Sequence, residues 1–284
     1  MSTPGEIKLC CAASYELDAV ALVLGESYHP GGFALTRRLA DQVRLSSGER
    51  VADIASGPGA TARLLATEYD VSVDGVDLGQ STVEAATAAA GEAGLAAKVR
   101  FHLGDAERIP LPDSTFDAVV CECAFCTFPD KATAAAEFAR ILRPGGRVGI
   151  TDVTVAAGGL PGELTTVAAW VACIADARPL ADYAAILERA GLRMVHTERH
   201  DTAIARMIDE IDARLRLLRM TASARLAESR IDVEAVLRYT ALARQAVADE
   251  LIGYALLVAE KPGQRAPQLR VPIGQAAVTT AGTR

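Results

Sequence analysis

The sequence predicts an α/β fold: a doubly wound, mostly parallel seven-stranded sheet with a helical insertion before the last strand. Three observations point there. From Arg50 to Asp152 short β-branched runs alternate with Ala-rich stretches of helical composition, the pattern of a parallel sheet wound on both faces. A glycine-rich turn, Gly57-Pro58-Gly59, stands where the first such run meets the first helix. A final apolar run, Gly253 to Glu260, follows a long helical stretch.

Each element follows from local signals. Strands are predicted at 50–55, 71–76, 99–103, 116–121, 147–151, 192–197 and 253–260. The first helix spans about 60–68. The second opens with Ser81-Thr82-Val83-Glu84, a capping-box pattern, and closes near Gly94, suited to a left-handed C-cap. A helix over 130–142 is stopped by Arg143-Pro144-Gly145-Gly146. Helices are also predicted at 163–174 and 180–190. Residues 204–218 place Ile204, Met207, Ile208, Ile211, Leu215 and Leu218 on one face, and another helix runs over 233–251. This divides the chain into an N-terminal helical cap (1–47), a Rossmann-like core (48–203 and 252–262), a helical insertion (204–251) and a disordered tail (263–284).

Composition removes several function classes. The 284 residues carry a formal charge of −7 and only 5% aromatics. That is the wrong sign for tracking phosphates and too few rings for base stacking, so no nucleic-acid partner is expected. No apolar run reaches the roughly 18 residues of a membrane span. The N-terminus lacks a signal-peptide pattern, with Glu16 and Asp18 interrupting its apolar residues. Six cysteines in such a chain predict reduced thiols in a cytoplasm.

The chemistry gathers at strand ends. In Asp53-Ile54-Ala55-Ser56-Gly57-Pro58-Gly59 the glycines admit a ligand close to the backbone, at a helix N-terminus that favours negative charge. Asp77 ends the second strand, where a carboxylate can accept two ribose hydroxyls. Gly57-x-Gly59-x-x-Ala62 with Asp77 also satisfies a loose dinucleotide fingerprint.

The wider set is more specific. Asp53-x-Ala55-x-Gly57-x-Gly59, Gly75-Val76-Asp77, Gly104-Asp105-Ala106, Leu111-Pro112-Asp113-Ser114-Thr115-Phe116-Asp117 and Leu142-Arg143-Pro144-Gly145-Gly146-Arg147 occur in order. Together they resemble the class I S-adenosylmethionine-dependent methyltransferases. The resemblance implies S-adenosyl-L-methionine as cofactor. Asp53, Ala55, Gly57 and Gly59 would cradle its methionine part, Asp77 and Leu78 its ribose, and Asp105 with Ala106 its adenine. Glu122, just after the fourth strand, joins this set by position. Ala55 departs from the pattern, since the first loop glycine usually stands there.

The cysteines suggest a narrower resemblance. Cys123-Ala-Phe-Cys126-Thr-Phe-Pro129-Asp130-Lys131, Trp170-Val-Ala-Cys173 and the pair Cys10-Cys11 resemble segments of the arsenite methyltransferases. Carried over, Cys123, Cys173 and one of Cys10 or Cys11 (Cys11 in the catalytic set) would hold trivalent arsenic as a metalloid substrate, with a thiol reductant as partner. Soft thiolates suit such an ion and leave its lone pair exposed. The methyl then passes by in-line displacement and needs no base. By strand alternation Cys121 and Cys123 share one side and Glu122 faces the other. Cys121 reads as packing, and Cys126 as ligand or spectator.

Two rivals stand beside the metalloid. In methylation of a small organic molecule at O, N, C or S, the cysteines are packing and His29, in Tyr28-His29-Pro30-Gly31-Gly32, is the best base. A non-catalytic metalloid- or cofactor-binding protein is the other.

Overall fold

The structure is a computed structural model and describes Lys8 and residues 28–160, 162–165, 174, 176–221 and 232–263. After a first helix, α1 (Gly32–Gln42), strand and helix alternate: β1 (Arg50–Ile54), α2 (Ala60–Glu68), β2 (Ser72–Asp77), α3 (Gln80–Glu92) and β3 (Val99–Leu103). Then come β4 (Phe116–Glu122), α4 (Lys131–Ile141), β5 (Leu142–Val155), α5 (Leu180–Arg189) and β6 (Arg193–Arg199). Two helices, α6 (Asp201–Thr221) and α7 (Val233–Ala248), precede β7 (Ile252–Glu260).

The seven strands form one sheet in the order β3-β2-β1-β4-β5-β7-β6. Only β7 runs antiparallel, to β5 on one side and β6 on the other. Central strands covered on both faces read as continuous apolar runs, and β4 is buried from Phe116 to Cys121. The edge strand β6 alternates between exposed and half-buried residues.

Strand order decides where a ligand can sit. From β1 the chain first moves outward to β2 and β3, then returns to place β4 against the other edge of β1. The loops after β1 and β4 therefore diverge to opposite faces, opening a crevice at the carboxyl ends of these strands. The glycine loop follows β1 and Asp77 ends β2, while Gly104-Asp105-Ala106 follows β3 at the same edge.

Some local expectations change. Helix α3 starts at Gln80, with Gly79 at its N-cap and no side-chain cap, so Ser81 and Glu84 make no capping box. Asp77 Oδ1 takes the Gly79 amide instead, at 3.0 Å, and Gln80 reaches Glu84. The turn at Arg143–Gly146 is absorbed into a longer β5, whose pairing with β4 slips between Phe116 and Ala118. Asp130 caps α4 by accepting the Thr133 amide at 2.9 Å. The buried Lys131 donates to the Phe128 carbonyl and pairs with Asp176. The Pro-Asp-Lys segment thus has a structural task at the start of α4.

Candidate active site

The crevice holds a cavity lined by the first loop (Asp53, Ala55, Ser56, Gly57, Pro58), the end of β2 (Val76, Asp77, Leu78), Gly104 to Ala106, and the end of β4 (Glu122, Cys123, Ala124). Lys8, Tyr28 and His29 contribute from the N-terminal side. Of the nine residues assigned to the cofactor by resemblance, only Gly59 is not on this wall. It supports the wall from behind.

The loop is fixed by Asp77. Its Oδ2 accepts the Gly57 amide at 2.8 Å while Oδ1 accepts that of Gly79. Gly57 and Gly59 have φ of 52° and 74°, and Ala55 shares the left-handed region at 59°. A side chain costs energy there, so Ala55 carries strain that glycine would not. At Gly59 a Cβ would stand 2.3 Å from Phe101 Cζ. The absent side chain lets Phe101 of β3 fill the space beneath the loop.

Asp53, at the end of β1, is 2% exposed and its Oδ2 has no hydrogen-bond partner. Burial above all, then the carboxylates of Glu122 and Asp77, push its pKa well above the usual carboxylate range. An orphaned buried oxygen with two further acids beside it suits a cationic ligand that donates hydrogen bonds. S-adenosylmethionine, with its sulfonium and ammonium, fits that description. At the opposite end of the cavity Asp105 accepts the Glu107 amide and pairs with Lys8 at 2.7 Å.

Glu122 faces the cavity and stands at the centre of a buried cluster, corrected from the opposite side that alternation predicts for it. It accepts from Thr61 Oγ1 at 2.6 Å and from Thr36 Oγ1 at 3.1 Å. His29 Nε2 lies 3.5 Å from its Oε2 and 3.2 Å from Thr36 Oγ1, while His29 Nδ1 faces the Pro30 carbonyl at 3.3 Å. The Pro30 carbonyl can only accept, so in the neutral ring the proton is on Nδ1, and Nε2 keeps its lone pair toward the Thr36 hydroxyl. Nothing in the residues around Thr36 or Thr61 marks them for this cluster in the sequence.

The cysteines separate. The chain leaves strand geometry at Cys123 (φ 53°), whose amide donates to the Thr151 carbonyl. Alternation consequently stops at Glu122, and Cys121 and Cys123 do not share a side. Cys123 lines the cavity, whereas Cys121 is fully buried in the core. Burial, then Asp152, Asp53 and Glu122, push the Cys121 thiol well above its ordinary value. Cys126 is also buried, on a 3₁₀ turn (Phe125–Thr127), with its amide on Asp152. Cys10, Cys11 and Cys173 lie outside the described residues. Of the remaining histidines, His102 bonds Asp74 at 2.8 Å and His196 and His200 flank Glu198, away from the cavity.

Comparison with known proteins agrees with this geometry. A methyltransferase-domain family model matches residues 52–150. The chain is 30% identical over 230 residues to 27-O-demethylrifamycin SV methyltransferase of Amycolatopsis mediterranei, covering 80% of this chain and 83% of that protein. It is 32% identical to methyltransferase GfsG of Streptomyces halstedii, over 58% of this chain and 60% of that one, so this match spans under two thirds of the relative. Among solved structures, the cyclopropane synthase MmaA2 of Mycobacterium tuberculosis superposes with a TM-score of 0.78 at 19% identity, covering 89% of this chain and 98% of that one. Phosphoethanolamine N-methyltransferase 2 of Haemonchus contortus, solved with S-adenosylhomocysteine, gives 0.77 at 20% identity over 92% of this chain and 61% of that one. The crevice at the β1/β4 switch point and the match along most of the rifamycin relative have one reading: the chain belongs to the class I S-adenosylmethionine-dependent methyltransferases.

Proposed function

We propose that the protein methylates a hydroxyl of a small organic molecule, with His29 as the general base. The bound cofactor supplies an electrophilic sulfonium methyl. Asp77 and Leu78 would hold its ribose, Asp105 and Ala106 its adenine, and the loop from Asp53 to Gly59 its methionine part. The observation that carries the reading is the placement of His29. It is 9% exposed, it lines the cofactor cavity, and it also lines a second cavity of about 480 Å³ between α1 and α6, large enough for a small organic molecule.

The proton path follows from the hydrogen bonds. With Nδ1–H given to the Pro30 carbonyl at 3.3 Å, the lone pair of the ring is on Nε2. A proton taken there from the acceptor hydroxyl stands 3.5 Å from Glu122 Oε2. The resulting imidazolium stands beside Glu122, which is the electrostatic partner it needs. Removing the hydroxyl proton as the methyl arrives leaves a neutral ether and a neutral thioether, and the positive charge of the sulfonium passes to the His29 imidazolium, which Glu122 balances.

A metalloid acceptor is the second reading, and Cys123 on the cavity wall favours it. It requires the thiols of Cys173 and of Cys10 or Cys11 beside Cys123, and a thiol reductant. One assay separates the two. Purified protein and S-adenosylmethionine are incubated with a panel of hydroxylated macrocycles and aromatics, and in parallel with arsenite and excess thiol. O-methylated product that His29→Gln abolishes supports the first reading. Methylated arsenic that Cys123→Ser abolishes replaces it with the second.

A further inference from the structure

Asp53 has chemistry that methyl transfer itself does not use. Its Oδ2 is buried without a partner, so no described bond of the fold requires that oxygen. The charged and titratable groups around it are Asp77 from β2 and Glu122 and Cys121 from β4. The basic groups on the described cavity wall are committed elsewhere: Lys8 to Asp105 and Glu107, and the His29 ring to Thr36 and Glu122. Among the described residues, Asp53 thus stands buried in a wall of negative charge with no cation paired to it. Such a group is stable only when neutral or when a positive ligand faces it.

The cofactor and its product differ in one respect that this wall can sense. The sulfonium carries a positive charge and the thioether left after transfer carries none, while both keep the ammonium and carboxylate. We infer that Asp53 is the residue by which the site distinguishes cofactor from product, ionised against the sulfonium and taking up a proton when the thioether replaces it. The inference rests on the cofactor reading and is independent of which acceptor is methylated. Asp53 in this role weakens retention of the spent cofactor relative to the fresh one, and so promotes turnover.

The experiment is calorimetric titration of S-adenosylmethionine and S-adenosylhomocysteine into the full-length protein between pH 6 and pH 8.5, with no acceptor present. In wild type the ratio of product to cofactor dissociation constants should rise with pH. In Asp53→Asn that ratio should be independent of pH and about tenfold lower at the alkaline end, the size expected for one charge acting through a partly buried site. Glu122→Gln removes a repulsive neighbour and should move the wild-type rise to lower pH. Titration of wild type in two buffers of different ionisation enthalpy should show that product binding takes up more protons than cofactor binding, a test that needs no variant. Equal proton uptake for the two ligands, or an unchanged pH-dependent ratio in Asp53→Asn, overturns the inference. Failure of the wild type to bind either ligand removes the cofactor reading on which it stands.

Discussion

The amide of Gly57 donates to Asp77 Oδ2 at 2.8 Å, tying the loop after β1 to the end of β2. The acid that the sequence assigns to a ribose therefore also shapes the glycine loop before any ligand arrives. Charge-assisted bonds from backbone amides to a carboxylate are about twice as strong as neutral ones. Asp77→Ala removes two of them together with the ribose acceptor. Cofactor affinity should fall at least about a hundredfold, since each lost charged bond is worth about 1.5–3 kcal/mol. Calorimetry checks this, and unchanged affinity would mean that Asp77 does not organise the site.

Gly59→Ala tests the other anchor of the loop. The new methyl meets the Phe101 ring in a left-handed backbone, which combines overpacking with strain. Stability should drop by about 2–4 kcal/mol, seen as a lower denaturant midpoint. Combining it with Phe101→Leu should recover part of the loss, because the clash is with that ring.

His29→Gln should lower kcat by about 10²–10⁴-fold on a hydroxyl acceptor while cofactor affinity measured by calorimetry stays within about twofold. Glu122→Gln should lower kcat less, because the ring remains held by Thr36 and Pro30. A His29 variant of full activity would move the base elsewhere.

Cys123→Ser distinguishes packing from ligation. For an organic acceptor the variant keeps most of its activity, since a hydroxyl of similar size replaces the thiol on the wall. For a metalloid it loses all of it. Steady-state rates on the acceptors identified by the panel assay decide between these.

Asp53 links function to stability. Its carboxyl pKa is raised in the folded protein by burial and by two neighbouring acids. A raised acid binds more protons folded than unfolded, so its contribution favours folding at low pH and is lost as pH rises from the unfolded carboxylate value through the folded one. Asp53→Asn removes that loss. The ligand-free variant should melt a few degrees above wild type at pH 8, at about 2–4 °C per kcal/mol for a chain of this size. The gap should close towards pH 4. Thermal melts across this range show it, and a variant less stable than wild type at pH 8 would mean that Asp53 supports the fold.

Much of the molecule was legible in the sequence because its signals are local. The alternation of β-branched and Ala-rich runs from Arg50 to Asp152 reports backbone preference a few residues at a time, and the first five strands are where that pattern places them, with the last two on apolar runs of their own. The glycine loop and Asp77 are read from their positions at strand ends, because a tight turn and a strand end are properties of short segments, whereas the Gly104–Ala106 segment comes from the family resemblance. Strand bounds moved where tertiary pairing extended them, as in β5 along β7.

What tertiary structure decided are the partners and the facing of side chains. Thr36 and Glu122 are 86 residues apart in sequence and meet only because β4 lies beside β1 with α1 over its end. No periodicity reports such a meeting. Cys123 and Cys121 share a face by alternation, yet one left-handed residue at the strand end turns Cys123 into the cavity and leaves Cys121 in the core. The orphaned oxygen of Asp53 is likewise invisible in its motif, because burial and repulsion depend on what the other strands bring to it. Local propensity determined the elements of this protein and their order, whereas strand order at the switch point determined which charges face one another across the crevice, because Coulomb and hydrogen-bond energies depend on distance in space and not along the chain.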